Sequence, residues 1–395
     1  MDTVPTARID TARLGTARIG TARLDAAELG ATELGAAELD AALRLRDLSD
    51  PAAGPHAMQV VLERIEAALA AAWGVPVRRD RGSRVVEVTD NYDALRYAPD
   101  AVTRDRRYTR YIGAGRMLRS HTTARIPGLL REVTGDVVLC VPGLCYRRDV
   151  IDRHHVGQPH QLDLWRVRRN GRLTGEDLEW MAGLIVGAIL PGRRWWTVPS
   201  EHPYTVEGRE IYVEDGGGAV EIGECGLAHP EVLAAAGLAG ASGLAMGLGL
   251  DRLVMLAKGV PDIRLLRSAD PRVAAQMLDL APYVPVSMMP PVRRDLSLAV
   301  PADLDEELLG DRVRGLLAEE AEAIEEVVLL SETAYAALPD SARTRMGMRD
   351  GQKNLLLRLV LRHPDRTLTD ADANALRDRV YAGLHEGTRS EWTTR

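Results

Sequence analysis

Hydrophobic periodicity divides the chain into unequal parts. Between 58 and 73, MQVVLERIEAALAAAW places apolar side chains at three- and four-residue intervals, which predicts an amphipathic helix. VVLCV (137–141) and LDLWRVRR (162–169) read as strands, and LEWMAGLIVGAIL (178–190) as a largely buried helix. Residues 232–250 carry no charge over about the length of a membrane span. They are mostly Ala and Gly and run into Asp251-Arg252, so buried helix and strand are expected instead. Pro282, Pro285, Pro290 and Pro291 mark a linker. Beyond it the pattern predicts strand (292–300), helix (303–320), strand (325–331), strand (354–362), helix (369–385) and a short terminal segment. Leu308, Leu309, Val313, Leu316 and Leu317 give the first of these helices one apolar face. This order suggests a split β-α-β, ferredoxin-like sandwich over 286–395. The whole is an α+β chain.

Residues 1–48 follow a different rule. TARID TARLG TARIG TARLD AAELG ATELG AAELD repeats every five residues. On a helix five residues turn by roughly 500°, so each apolar residue moves about 140° around the axis and no stripe forms. The repeat resembles pentapeptide β-helices, although Arg or Glu stands where that family prefers Asp or Asn. A low-complexity arm, helical in its Ala/Glu half, is the other reading.

Composition narrows the function. A net charge of −7 draws in neither nucleic acid nor membrane, so any RNA contact must come from local basic patches. Cys140, Cys145 and Cys225 form no CxxC, which argues for a reducing compartment. Asp2, Asp10 and the lack of Ser argue against a transit peptide, so a cytoplasmic location and no membrane association are expected. Phenylalanine is absent, although the chain has ten Tyr and six Trp.

The densest chemistry lies in YRRDVIDRHHVGQPHQLDLW (146–165). His154, His155 and His160 stand at spacings that zinc sites use, but no Cys or Glu lies nearby at a matching spacing. Handling of negative charge is the other reading. Arg147 follows a strand and can offer its planar fork to a phosphate. Gln161 and Asp163, two apart on a strand, leave the same face and suit an ammonium group. In GLAMGLGLDRL (243–253), Gly247 and Gly249 let a ligand approach the backbone, and Arg252 follows at a helix start. MLRSHTTA (117–124) clusters His121, Thr122 and Thr123.

An Arg after a strand, followed by GxGxxR, resembles motifs 2 and 3 of class II aminoacyl-tRNA synthetases. NYDAL (91–95), MLRSHTTA, YRRDVID, HQLD, VEIGECGLAHP (220–230), GLAMGLGLDRLVML and GVPDIRLL (259–266) resemble phenylalanyl-tRNA synthetase in order. PPVRRDLSLAV (290–300) and RHPDRTLTDADAN (362–374) resemble its ferredoxin-fold anticodon-binding domain. The resemblance implies an antiparallel-sheet catalytic domain over 49–282 in a single-chain, organellar-like layout. It implies ATP and Mg²⁺, an aromatic amino acid and tRNA as partners, and a monomer or homodimer. It implies Arg147 at the α-phosphate and Arg252 at the γ-phosphate, with Asp149, His155, Gly247 and Gly249 around ATP and Glu221 a metal ligand. His121, Thr123, Gln161 and Asp163 would hold the amino acid, with His202, Tyr204 and Ala245 around its side chain. Arg293, Arg294, Arg358, Arg362 and Arg366 are the candidates for RNA contact. A synthetase-like regulator that binds tRNA or an amino acid without aminoacylation is the alternative.

Departures from the family pattern cluster near the substrate. Asp163 replaces a Glu, Pro159 a Phe, and Gly223-Glu224 a small apolar pair. SEHPYT (200–205) stands where two phenylalanines wall the side-chain pocket, and places His202 and Tyr204 there. Chain-wide avoidance of phenylalanine explains Tyr204. It does not explain His202 or Pro159, neither an obvious apolar or aromatic stand-in, and altered specificity is the competing reading.

Overall fold

The computed structural model describes residues 33–390 except 217, 287–289, 364 and 365. Most of the repeat, residues 1–32, lies outside the described residues. Its last copy forms the helix Ala36–Arg44. Leu34, Leu39 and Ala42 there pack against Leu118, Leu144 and Tyr146.

In chain order the strands are β1 (Val77–Arg79), β2 (Val85–Glu87), β3 (Tyr111–Gly113), β4 (Arg116–Leu118), β5 (Val137–Leu144), β6 (His160–Arg168), β7 (Trp195–Pro199), β8 (Thr205–Asp215), β9 (Gly218–Ala228), β10 (Ser242–Gly249), β11 (Val292–Pro301), β12 (Ile324–Ala334) and β13 (Gln352–Leu361). Seven of them form one sheet in the order β1-β5-β6-β10-β9-β8-β7, antiparallel except at the β1–β5 edge. An antiparallel sheet of this kind is what the resemblance implies for this part of the chain. One face of the sheet is covered by the helices Ala57–Trp73, Gly175–Ile189 and Leu250–Lys258, whose apolar sides bury Met58, Val61, Leu62, Ile65, Met181, Ile185 and Val254. The expected helix starts have physical anchors: His56 accepts from the Met58 N–H, and Thr174 and Asp177 cap each other's backbone. The stretch 232–250 is indeed helix and strand, and no described helix is long and apolar enough to cross a membrane.

Beyond the prolines, β11, the helix Glu306–Leu317, β12, β13 and the helix Asp370–Leu384 follow in the expected order. The strands pair as β11-β13-β12. Leu296, Leu298, Leu357 and Leu359 pack under the two helices. The segment after the last helix touches the free edge of β11, where the Glu386 N–H donates to the Ala299 carbonyl. Ile151, from the loop between β5 and β6, is buried in this second core. Arg314 donates to the carbonyls of Asp149 and Val150, and Asp311 pairs with Arg110 and Arg148. Around the start of that helix, Asp303 pairs with Arg107 and Asp305 accepts from the Tyr108 hydroxyl, both from the large sheet's half.

His160 is buried at the junction of the two motif segments. Its Nε2 accepts from the Leu48 N–H at 3.0 Å, and its Nδ1 lies 3.2 Å from Asp251 Oδ1 and 3.0 Å from Arg267 Nη2. Asp251 also accepts from the His160 N–H and from Arg267. Burial would raise the Asp251 carboxyl, but His160 and Arg267 hold it down at about 2. Asp251→Ala strands these donors, so it is expected to lower unfolding free energy by about 2–4 kcal/mol. Chemical denaturation at pH 7 measures this; an unchanged midpoint contradicts it.

Candidate active site

The face of the large sheet opposite those helices, part of it packed under Leu129, Leu130 and Leu233, is organised in rows. Direct register neighbours across an antiparallel sheet share a face, so Asp163, Gly247 and Glu224 form one row and Trp165, Ala245 and Gly226 the next. A Cβ on Gly247 meets nothing within 4 Å. The row is therefore a groove floored by glycine, with one carboxylate on each wall about 10 Å apart by strand spacing. Glu221 reaches the same face for a less obvious reason. A register irregularity between β8 and β9 at Ile211/Tyr212 shifts the alternation, so Ile222 and Cys225 both enter the core and Glu221 and Glu224 both leave it.

One wall is short of partners. Asp163 Oδ1, Trp165 Nε1 and His121 Nδ1 are buried and, among the described residues, have no hydrogen-bond partner. Burial pushes the Asp163 carboxyl up to about 7, although Thr123 and Trp165 lie close enough to lower it. Neither makes a well-aligned bond to Oδ1. A buried carboxylate with an unused oxygen is built for a cationic donor. His121 stacks on Tyr97 at 5.7 Å, and burial and then Arg147 push it down to about 3, so it is neutral. Gln161 Oε1 lies 3.4 Å from Cys145 Sγ.

Two arginines lie at the strand ends. Arg147 donates through Nε to the Ser120 carbonyl at 2.7 Å, with Glu224 and Asp149 in its field. Arg252 donates to the Glu221 carbonyl at 2.8 Å and to His155 Nε2 at 2.7 Å. His155 in turn gives its Nδ1 proton to Asp152 at 2.7 Å, which fixes the tautomer. The three histidines of this segment thus diverge. His155 orients an arginine, His154 lines a cleft beside Arg252, and His160 is structural. Asp149 lies with its carbonyl on Arg314 and its carboxylate on the Val150 N–H. No group of three metal-ligating side chains occurs among the described residues. Glu221 is pushed up by burial and, despite Arg252, by Glu224 and Glu210, an environment that welcomes a cation.

Beside Asp163, Trp165 stacks on Tyr204 at 6.3 Å above the buried Ala245, and Tyr97 lies 6.4 Å from Tyr204. His202 is ion-paired with Glu224 through Nε2 and Oε2. Burial works against both charges, but their mutual bond raises His202 and, with Arg147, holds Glu224 below the usual carboxylate range. Trp165, Tyr97 and Glu224 are not among the site residues expected from sequence. Trp165 had a signal, since it stands two residues after Asp163 on one strand. Tyr97 had none, because its loop is placed by tertiary packing alone.

The five arginines named for RNA contact are mostly engaged. Arg294 pairs with Asp370, Arg358 with Asp295, Arg362 with Glu325 and Arg366 with Asp372. Arg293 is exposed and has no ion pair among the described residues. Strand neighbours and helix starts supplied these carboxylates, which the positions of basic residues alone do not reveal.

Residues 40–277 match the family described as tRNA synthetases class II core domain (F). The chain is 28% identical over 316 residues to a chloroplastic/mitochondrial phenylalanine--tRNA ligase of Arabidopsis thaliana, covering 75% of this chain and 68% of that one. It is 25% identical over 359 residues to a probable mitochondrial phenylalanine--tRNA ligase of Drosophila melanogaster, covering 76% of each. A phenylalanine--tRNA ligase alpha subunit of Acaryochloris marina matches at 30% over 188 residues, 47% of this chain and 56% of that subunit. The cytoplasmic expectation is corrected here, since two relatives that each match about three quarters of the chain are organellar proteins. That expectation rested on acidic residues near the N-terminus, which carry no address of their own.

Proposed function

This chain belongs to the class II tRNA synthetases of core-domain family F, and on that footing we propose how the glycine-floored groove of its sheet works as an ATP-dependent aminoacyl-tRNA ligase of the phenylalanyl type. The observation that carries the reading is Asp163: a buried carboxylate with an unused oxygen, beside an aromatic slot and within reach of strand ends bearing arginines. Asp163 and Gln161 hold the α-ammonium, with Thr123 and His121 lining that end. Tyr204, His202 and Ala245 surround the side chain.

The amino acid's carboxylate oxygen attacks the α-phosphorus, the bond to the bridging oxygen breaks, and pyrophosphate leaves. Arg147 neutralises the α-phosphate and Arg252 the γ-phosphate, while Asp149, Gly247 and Gly249 line the nucleotide's path. In the second step a hydroxyl of the tRNA's terminal ribose attacks the adenylate carbonyl and AMP departs. The protein supplies position and charge. Mg²⁺ would be held by Glu221 with the phosphates, and would supply further neutralisation of the triphosphate.

Residues 49–282 form the catalytic part, and 286–395 a ferredoxin-like anticodon-binding part. Arg293, unpaired among the described residues, is its readiest cation. Arg294, Arg358, Arg362 and Arg366 contribute by exchanging weak, partly exposed carboxylate partners for phosphates. Two assays test the whole. ATP–pyrophosphate exchange with aromatic amino acids reads the first step, and charging of phenylalanine tRNA reads the second. Absence of both leaves the regulator reading standing instead.

His155 is a positioning residue in this scheme. His155→Ala removes an acceptor that aims Arg252, so kcat/KM for ATP is expected to fall about tenfold, mostly through KM. A change confined to the amino acid's KM contradicts that role.

A further inference from the structure

We propose that the amino acid taken by this site is an aromatic one bearing a hydroxyl or amino donor on its side chain, and that His202 and Glu224 set the preference. The inference rests on the phenylalanyl-type reading above. Its first support is a contact that the sequence could not show. His202 stands where the family resemblance calls for a ring, and Glu224 where it calls for a small apolar residue. The two departures lie in different segments, yet they form one ion pair. A histidine that merely replaced a phenylalanine needs no acid beside it.

The second support is the position of that pair. Glu224 stands across Gly247 from Asp163, on the opposite wall of the groove. With the α-ammonium on Asp163, a side chain that crosses Gly247 alongside the stacked Trp165 and Tyr204 reaches the Glu224 wall. His202 takes Oε2, and the Glu224 side chain keeps 37% of its surface open, so Oε1 is free to accept from a ligand. Phenylalanine offers nothing there and would strip solvent from a carboxylate without replacing it. A phenolic O–H or aryl N–H donates to it directly. Sites that hydrogen-bond a substrate group reject the analogue lacking that group far more strongly than apolar pockets reject an added one.

The third support is composition. A ligase that loads phenylalanine tRNA with another amino acid substitutes that residue in every protein containing phenylalanine. This chain contains none, so its own sequence is indifferent to such loading.

The test is ATP–pyrophosphate exchange of the full chain with phenylalanine, tyrosine, meta-tyrosine and para-aminophenylalanine. A donor-bearing analogue is expected to exceed phenylalanine in kcat/KM by about 100-fold or more. Replacing both partners together, His202→Phe with Glu224→Gly, is expected to move the preference toward phenylalanine without leaving a lone buried charge. Phenylalanine as the best substrate of the unaltered chain overturns the inference and leaves the ligase reading intact. Exchange with no amino acid overturns both.

Discussion

Arg252→Ala is expected to reduce ATP–pyrophosphate exchange by about a thousandfold or more while the protein stays folded. The guanidinium is oriented before any nucleotide arrives. The Glu221 carbonyl takes one N–H at 2.8 Å, and His155, itself held by Asp152, takes another at 2.7 Å. These bonds fix the plane of the fork and leave its other N–H groups for phosphate oxygens. Such preorganised charge is worth most where negative charge gathers on the leaving pyrophosphate, and removal of one such donor commonly costs about 10²–10³ in rate. Arg252 carries a full charge as well, so the upper end of that range is expected. The side chain is one-fifth exposed and its partners are polar, so its loss opens no apolar cavity. Arg252→Lys should restore only a small part, because an ammonium cannot reproduce the fork. The measurement is exchange rate at saturating ATP, with thermal unfolding as the check on folding. More than about a tenth of the activity retained in Arg252→Ala would falsify the γ-phosphate role, given the magnitude expected of such a donor.

Asp163→Asn is expected to do two opposite things: abolish amino-acid activation and stabilise the ligand-free protein. Burial raises the Asp163 carboxyl from 3.8 to about 7. A carboxyl whose folded pKa is raised costs stability when ionised. That cost is absent below pH 4, grows as pH rises toward 7, and is complete above it. The shift corresponds to about 4 kcal/mol at most, and relaxation in the real protein brings the expected gain for Asn to about 1–3 kcal/mol. An arriving ammonium removes the same penalty, so binding is strong where Asp163 is ionised. The apparent KM for the amino acid should therefore rise as pH falls below about 7, with Asp163 protonated in the free enzyme. Unfolding of the unaltered protein and Asp163→Asn, each measured at pH 5 and pH 8, separates the effects. The variant's advantage should be full at pH 8, clearly smaller at pH 5, and absent only below about pH 4. An equal advantage at both values, or a variant that still activates its substrate, contradicts the assignment.

Much of the architecture was legible in local pattern. Helical spacing in 58–73, the strand runs at 137–141 and 162–169, and the order of elements after the prolines all depend on near neighbours along the chain. Each strand and helix stands within a few residues of its expected place. Alternation alone put Gln161 and Asp163 on one face, because no irregularity interrupts β6. The motif arginines were legible too, since each follows a strand end that local sequence announces.

What folding settled was every relation that depends on register or on a distant partner. Strict alternation would send Glu221 and Glu224 to opposite faces, and the register shift at Ile211/Tyr212 brings them to the same one. Three histidines equal in sequence became a structural core group, an arginine's support and a cleft wall, according to whether Asp251, Asp152 or open space lay opposite. The arginines proposed for RNA met carboxylates from neighbouring strands and helices. His202 and Glu224 met because the connection between β7 and β8 folds back beside β9. Periodicity records which side a residue faces. A single bulge or a pairing across the sheet decides what it faces there, and those are properties of the packed chain.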